Sequence, residues 1–136
     1  MMKFGVLIGA AVVGLAALLS PARAADHTKD TPEEVKKAIA NGKAVLLDVR
    51  EKSEWDDGHL KDAKLLPLSV LKDGAKAEYV ARVVPKDKIV YLHCGSGVRS
   101  LKAADELKKL GYDVRPLKPG YKDLLKAGFE PAEPPK

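Results

Sequence analysis

The chain has 136 residues, with 24 lysines and arginines against 19 aspartates and glutamates, so its formal net charge is +5 at pH 7. Basic and acidic residues are interspersed along the chain, and aromatic residues make up only 5% of it. A nucleic-acid-binding protein typically concentrates its cations on one face and interleaves aromatic side chains. The composition therefore argues against nucleic-acid binding and indicates an ordinary solvated surface.

The first 24 residues have the pattern of a cleavable signal peptide. Lys3 supplies a positive start, and residues 4–19 are a continuous run of apolar residues and glycine. The small residues Ala22 and Ala24 follow the run at the two positions that a signal peptidase reads, which predicts cleavage after Ala24. The alternative is an uncleaved membrane anchor, although the apolar run is short for a span, which needs about 20 residues. We therefore expect a periplasmic or secreted protein without stable membrane contact.

Removal of residues 1–24 would lower the net charge to +3 and leave enough chain for one compact domain, but not for two. We assign residues 25–130 to that domain and residues 131–136 to a flexible, proline-rich tail. Cys94 is the only cysteine, so it has no partner for an internal disulfide in an oxidising compartment. A single thiol in such a compartment is either an intermolecular partner or a group kept for its chemistry.

Helical and strand patterns alternate along the predicted domain. Thr31-Pro32-Glu33-Glu34 has the signature of a helix start, with a capping hydroxyl, an early proline and a glutamate three residues after the cap. Short, nearly continuous apolar runs are typical of strands that are covered on both faces. In chain order, the patterns predict a helix from Thr31 to Asn41, a strand over 44–49, a polar loop over 50–62, a brief second strand or extended segment over 65–68, a helix over 75–84, a strand over 88–93, a helix over 100–110, a strand over 113–117 and a short helix over 121–126.

This alternation predicts an α/β fold, with a parallel sheet flanked by helices on both faces. Functional sites in such sheets lie beyond the carboxyl ends of the strands. Arg50 follows one predicted strand directly and Cys94 follows another, so the two residues are expected to face the same crevice.

Cys94 lies at a predicted strand-to-helix turn, followed by a glycine-containing stretch. Unpaired backbone N–H groups and the positive end of a helix meet at such a turn. Both favour the thiolate, which is the reactive form of cysteine. The sequence therefore predicts a reactive thiol at this position.

Several motifs, in the same order, resemble those of rhodanese domains and cover nearly the whole predicted domain. The family's first signature is similar to Leu47-Asp48-Val49-Arg50-Glu51, Glu54-Trp55, Gly58-His59-Leu60 and Ala63. Its sulfurtransferase loop is similar to Cys94-Gly95-Ser96-Gly97-Val98-Arg99-Ser100, and its end motif to Pro119-Gly120-Tyr121 through Gly128. The resemblance implies a rhodanese-like fold and a sulfurtransferase.

In that family a cysteine takes the outer sulfur of a small anionic donor such as thiosulfate and passes it, as a persulfide, to a thiol or to cyanide. The resemblance makes Cys94 the nucleophile and implies no cofactor. The residues expected to bind the persulfide and the leaving anion are Gly95, Ser96, Gly97, Val98 and Arg99. Asp48, Arg50 and Ser100 are expected to support the site without contacting the transferred sulfur group directly, except that Ser100 either caps the next helix or bonds to the sulfur. The other interpretation of Asp48 and Arg50 is an ion pair that only stabilises the fold.

The chain departs from the family pattern at Gly95, where many active relatives carry arginine, so one cation is missing beside the cysteine. A persulfide carrier with little turnover is therefore an alternative to an enzyme. The loop also resembles that of cysteine phosphatases and arsenate reductases, but those place five residues between cysteine and arginine, and here Cys94 and Arg99 are separated by four. The scattered histidines show no metal-ligand spacing, and we expect a monomer.

Overall fold

The computed structural model describes residues 24–134, which contain four strands and six helices. The strands are β1 (Ala44–Asp48), β2 (Ala63–Leu65), β3 (Ile89–His93) and β4 (Val114–Pro116). The helices are α1 (Pro32–Ala40), α2 (Lys52–Asp57), α3 (Leu68–Lys72), α4 (Ala77–Val83), α5 (Val98–Lys109) and α6 (Tyr121–Lys126). The strands form one sheet in the order β2-β1-β3-β4, and every neighbouring pair is parallel.

The two central strands end side by side. In the β1–β3 register Asp48 pairs with His93, and the amide of Val49 donates to the carbonyl of His93 at 3.0 Å. Cys94 follows β3 and Arg50 follows β1 at the same edge of the sheet. The two residues therefore lie at the same edge of the sheet, as the alternation predicts. Their side chains do not share a crevice, because Cys94 packs in the apolar interior, whereas Arg50 bonds Asp48 and lines a surface pocket with Glu54 and Tyr121.

Alternating residues of the strands pack into two apolar clusters, one on each face of the sheet. One cluster contains alternate residues of β1 and β3 packed against α3, α4 and α5: Leu47, Val49, Val90, Leu92, Cys94, Leu71, Val80, Ala104 and Leu107. The other contains the intervening strand residues packed against α1 and α6: Ala44, Leu46, Tyr91, Val35 and Leu124. The prediction of a parallel sheet with helices on both faces is confirmed.

Two helices occur where the sequence predicted none. Residues 52–57 form α2 within the predicted polar loop, and its start is a reciprocal cap between Glu51 and Glu54. The predicted extended segment over 65–68 is divided: β2 ends at Leu65, and α3 begins at Leu68, directly after Pro67. Helices of five or six residues show less than two turns of apolar periodicity, which explains why the pattern did not reveal them.

The signal-peptide prediction falls on residues 1–23, outside the described residues, and on Ala24. Among residues 24–134 no helix is both long and apolar enough to cross a bilayer. The segment expected to be a flexible tail begins with bonded residues: Pro131 forms an antiparallel bridge with Leu60, and the amide of Ala132 donates to the carbonyl of His59 at 2.8 Å. Backbone bonds to a loop thus hold its start despite its proline-rich composition.

Candidate functional site at the end of the third strand

Cys94 lies directly after β3 with its side chain in the apolar cluster beneath α5, and none of its surface is exposed. The amide of Gly97 donates a hydrogen bond to its sulfur at 3.0 Å. A backbone N–H aimed at sulfur stabilises negative charge there. The thiol is therefore covered by protein, but a fixed dipole of the loop points at it.

The loop from Cys94 to α5 exposes Gly95, Ser96 and Val98 and buries Gly97. Gly97 is the residue before the helix and has a left-handed backbone, with φ of 90°. A Cβ atom at this position would lie 2.6 Å from the carbonyl oxygen of Lys118. Both the backbone conformation and the lack of space require glycine here.

The opposite side of the loop touches the start of α6. The amide of Tyr121 donates to the carbonyl of Cys94 at 2.9 Å. A Cβ atom on Gly120 would lie 1.9 Å from the carbonyl oxygen of Gly95, so the two backbones are in direct contact. The resemblance at Pro119-Gly120-Tyr121 thus marks the segment that supports the cysteine loop.

Arg99 forms a two-point ion pair with Glu54 of α2, with Nη2 and Oε2 2.9 Å apart. Hydrogen bonding to Arg99 lowers the pKa of the Glu54 carboxyl to about 2, and the same bond raises the pKa of Arg99. A Cβ atom on Gly95 would lie 3.0 Å from Arg99 Nη2 and 4.0 Å from Glu54 Oε2. The pair therefore stands beside the first loop residue. The arginine charge expected beside an anion is largely neutralised by this carboxylate.

Asp48 and Arg50 form a buried ion pair at the end of β1, with 0% and 5% of their surfaces exposed. Arg50 Nε and Nη2 donate to the Asp48 carboxylate at 3.0 and 2.8 Å, and Nη2 also donates to the carbonyl of Gly58 at 2.7 Å. The guanidinium carbon lies 4.3 Å from the ring centre of Tyr121. The amide of Tyr121 also bonds the Cys94 carbonyl, so contacts through the start of α6 connect the ion pair to the cysteine loop.

His93 is fully buried beside this pair, with Nε2 3.7 Å from an Asp48 oxygen. Within residues 24–134 neither of its ring nitrogens has a hydrogen-bond partner. Burial lowers its pKa to about 4, and the neighbouring Asp48 carboxylate only partly opposes this shift. His93 is therefore neutral at physiological pH, and strand alternation directs it to the face of the sheet opposite Cys94.

Ser100 is buried at the start of α5, and its hydroxyl is placed to donate to the carbonyls of Gly97 and Leu117, at 2.9 and 3.1 Å. It thus joins the loop to the segment after β4, a contact that neither interpretation of its role included. Sequence reasoning assigned no site role to Glu54 or Tyr121, although both belong to the quoted motifs. His27, whose Nε2 lies 2.7 Å from the Gly97 carbonyl oxygen, carried no sequence signal. In the part of the chain with described coordinates, no cluster of His, Cys, Asp and Glu side chains is placed to hold a metal ion.

Comparison with known proteins shows a family and several relatives. The family model described as rhodanese-like domain matches residues 31–127. A probable adenylyltransferase/sulfurtransferase, MoeZ of Mycobacterium tuberculosis, is 38% identical over 92 residues, which are 67% of this chain and 22% of the relative. The uncharacterized protein YqhL of Bacillus subtilis is 44% identical over 81 residues, 59% of this chain and 60% of that protein.

The fold is also similar to that of the human single-domain sulfurtransferase TSTD1. The TM-score is 0.62 at 25% identity, and the alignment covers 75% of this chain and 97% of the human protein. By contrast, the chain spans only about a fifth of the length of the MoeZ protein. Its likeness to MoeZ therefore concerns one domain of a larger protein.

Proposed function

The chain belongs to the family of rhodanese-like domains, and from this premise we propose that it is a sulfurtransferase that carries sulfane sulfur on Cys94. Its relatives include proteins named as sulfurtransferases, one of them a single domain of similar fold. The observation that best supports the proposal is the hydrogen bond from the Gly97 amide to the Cys94 sulfur. That bond stabilises the anionic sulfur that the chemistry requires.

The proposed reaction has two displacement steps. The Cys94 thiolate attacks the outer sulfur of thiosulfate or a similar donor, so that a new S–S bond forms, the donor's S–S bond breaks, and sulfite leaves with the bonding electron pair. An acceptor thiolate or cyanide then attacks the outer sulfur of the Cys94 persulfide. The second step releases the sulfurated acceptor and restores the thiolate, as expected for covalent catalysis by two half-reactions.

The loop residues Gly95, Ser96, Gly97, Val98 and Arg99 would line the path of the transferred sulfur. Gly95, Ser96 and Val98 are exposed, whereas Gly97 faces the sulfur. Because Cys94 itself has no exposed surface, a donor reaches it only when the loop residues 95–99 move. We therefore expect loop opening to precede the chemical step of the first half-reaction.

The net charge of the side chains beside the loop affects which sulfur donor the protein can bind. Glu54 neutralises Arg99, and Gly95 supplies no second cation. A dianion such as thiosulfate therefore meets less positive charge than a free arginine pair would offer. We expect a high KM for thiosulfate and better use of donors with less negative charge.

A steady-state assay with thiosulfate and cyanide tests this function. The wild-type protein should form thiocyanate, and Cys94→Ser should form none while keeping the wild-type thermal unfolding transition. If the folded wild-type protein forms no thiocyanate with any sulfane donor tried, the proposal that it is an enzyme is wrong.

A persulfide carrier with little turnover is the second candidate, favoured by the complete burial of Cys94 and by Gly95. A stable persulfide with negligible turnover would support it. Cysteine phosphatase or arsenate reductase activity is the remaining alternative from the loop sequence, and hydrolysis of an aryl phosphate that is lost in Cys94→Ser would favour it.

We also propose that the protein is exported, that its signal peptide is cleaved after Ala24, and that it acts as a monomer. N-terminal sequencing of the protein recovered from the periplasm or medium tests the first statement, with Ala25 as the expected first residue. Size-exclusion chromatography with light scattering tests the second. An intact N-terminus or a stable dimer would contradict the respective statement.

A further inference from the structure

Residues 25–30 form an irregular segment, here called the N-terminal strap, that precedes the part of the chain matched by the family model. The backbone nitrogen of Ala25 donates to an Asp105 carboxylate oxygen on α5 at 2.7 Å. The amide of Thr28 donates to the carbonyl of Pro116 at the end of β4, at 2.8 Å. The strap is thus fixed to α5, which follows the cysteine loop, and to the end of β4.

Its far end is also bonded to the sheet. Asp30 accepts hydrogen bonds from the Tyr91 hydroxyl at 2.7 Å and from Arg115 Nη1 at 2.9 Å. These bonds lower the pKa of the Asp30 carboxyl, so it remains a charged acceptor at neutral pH. The strap is anchored at both ends, with His27 between the anchors.

His27 contacts the cysteine loop directly. Its Nε2 atom lies 2.7 Å from the carbonyl oxygen of Gly97. A carbonyl oxygen only accepts hydrogen bonds, so Nε2 carries the hydrogen and donates it. A Cβ atom on Gly97 would lie 3.3 Å from the same nitrogen, so the imidazole also borders the α-carbon of this glycine.

Gly97 is the residue whose amide faces the Cys94 sulfur. It has a left-handed backbone with φ of 90°, and glycine has more conformational freedom than any other residue. Two side chains bond its carbonyl: Ser100, from the first turn of α5, and His27, from the strap. The His27 bond ties Gly97 to the strap and so gives the loop a support from outside α5.

We propose that His27 is a positioning residue for sulfur transfer, because its Nε2–H fixes the Gly97 carbonyl and thereby keeps the Gly97 amide aimed at the Cys94 sulfur. The inference rests on the proposed function, in which that amide stabilises the sulfur anion. His27 acts as a hydrogen-bond donor only and exchanges no proton with the substrate.

Three variants in the full chain separate this role from others. In His27→Gln, the terminal amide nitrogen is as many bonds from Cβ as Nε2 is in histidine, and it does not titrate. In His27→Asn the amide nitrogen is one bond too short, and His27→Ala has no donor. Loss of one hydrogen bond should lower kcat for sulfite release from thiosulfate by about 3- to 10-fold in the Ala and Asn variants, with KM little changed. His27→Gln should retain most of the wild-type rate.

An activity-independent measurement accompanies the kinetics. Amide hydrogen exchange over residues 95–97 should be several-fold faster in His27→Ala than in wild type and close to wild type in His27→Gln. Lys29→Ala is the matched control, since Lys29 is an exposed residue of the same strap. It should change neither measurement. Should the wild type transfer no sulfur, the exchange data still test the positioning.

Three results would overturn the inference. Unchanged kcat and exchange in His27→Ala would show that the bond does not position the loop. Equal loss in the Gln and Ala variants would show that the imidazole acts through its proton or its ring. A higher kcat in His27→Ala would show that the strap restrains the loop instead of supporting it.

Discussion

The two central strands end side by side, but the segments that follow them are held in different ways. The segment after β1 is held by two buried, charged side chains: the Arg50 guanidinium donates hydrogen bonds to the Asp48 carboxylate and to the carbonyl of Gly58. The segment after β3 is held by backbone groups: the Gly97 amide donates a hydrogen bond to the Cys94 sulfur, and the Tyr121 amide donates one to the Cys94 carbonyl.

The difference predicts opposite sensitivities to substitution. The segment after β1 should be destabilised when a side chain is removed, because a buried charge then loses its partner. The β3 end should fail when a side chain is added, because backbones approach too closely for a Cβ atom at Gly97 and Gly120. In the proposed function, the segment after β3 provides the backbone groups at the sulfur, and the ion pair after β1 contacts Tyr121 beside it.

The largest expected effect is that of Asp48→Ala. It leaves the Arg50 guanidinium buried and without its carboxylate, which should reduce the free energy of unfolding by about 3–5 kcal/mol. Asp56→Ala is the control, since its pair with Lys52 is exposed and should contribute no more than about 1 kcal/mol. Urea denaturation of both variants checks this. Equal losses would show that burial does not distinguish the two pairs.

The next effect concerns acid stability and His93. Its pKa of about 4 in the folded protein lies below the value near 6.5 in the unfolded chain, so between these pH values the unfolded chain binds more protons. The free energy of unfolding should therefore fall as the pH is lowered from 6.5 towards 4, by up to about 3 kcal/mol from this residue.

His93→Phe removes that contribution and tests it. The variant should be about as stable as wild type at pH 7, because both ring nitrogens lack partners within the described residues, and more stable than wild type at pH 4.5. The carboxylates are common to both proteins, so the difference between their two pH profiles isolates the histidine. Parallel profiles would contradict the neutral, buried state of His93.

Gly120→Ala should disturb the β3 end. Its Cβ atom would lie 1.9 Å from the Gly95 carbonyl oxygen, and we expect a loss of about 1–3 kcal/mol from overpacking, together with impaired sulfur transfer. In the matched variant Gly95→Ala, the new Cβ atom meets only the ends of two side chains, Arg99 Nη2 at 3.0 Å and Glu54 Oε2 at 4.0 Å, and no backbone atom. That variant should change stability by no more than about 0.5 kcal/mol. If thermal unfolding ranks the two variants the other way, the backbone contact is not what holds the loop.

The smallest expected effect is that of Glu54→Gln, which frees the charge of Arg99 beside the loop. The exposed part of this pair limits its contribution to about 1 kcal/mol or less, which corresponds to a decrease in KM for thiosulfate of up to about 5-fold. Glu78→Gln makes the same charge change at an exposed position on α4 and should leave KM unaltered. Equal KM values in the Glu54 variant and wild type would show that Arg99 does not attract the donor.

The same contrast explains what the sequence predicted well. Apolar strand runs and the repeat of Leu101, Ala104 and Leu107 depend on local periodicity, so the alternation and the parallel sheet could be predicted. The strand ends carrying Arg50 and Cys94 followed from that alternation. The helices α2 and α3 are too short for periodicity to be visible.

Contacts between distant parts of the chain could not be predicted in this way. The pairing of Glu54 with Arg99 joins residues 45 positions apart, and His27 lies 70 positions from Gly97. No local pattern marks either partner for the other. Likewise, the burial of Cys94 depends on how α5 and the loop cover it, and the sequence predicted only that the thiol stands at a turn.

The most direct test of the central claim is the intact mass of the protein after incubation with a sulfane-sulfur donor and removal of excess reagent. The account predicts that the wild type gains the mass of one sulfur atom, that cyanide or a thiol removes it, and that Cys94→Ser gains nothing. An unchanged mass of the folded wild-type protein with thiosulfate and with persulfide donors would contradict the claim that this loop holds and transfers sulfur.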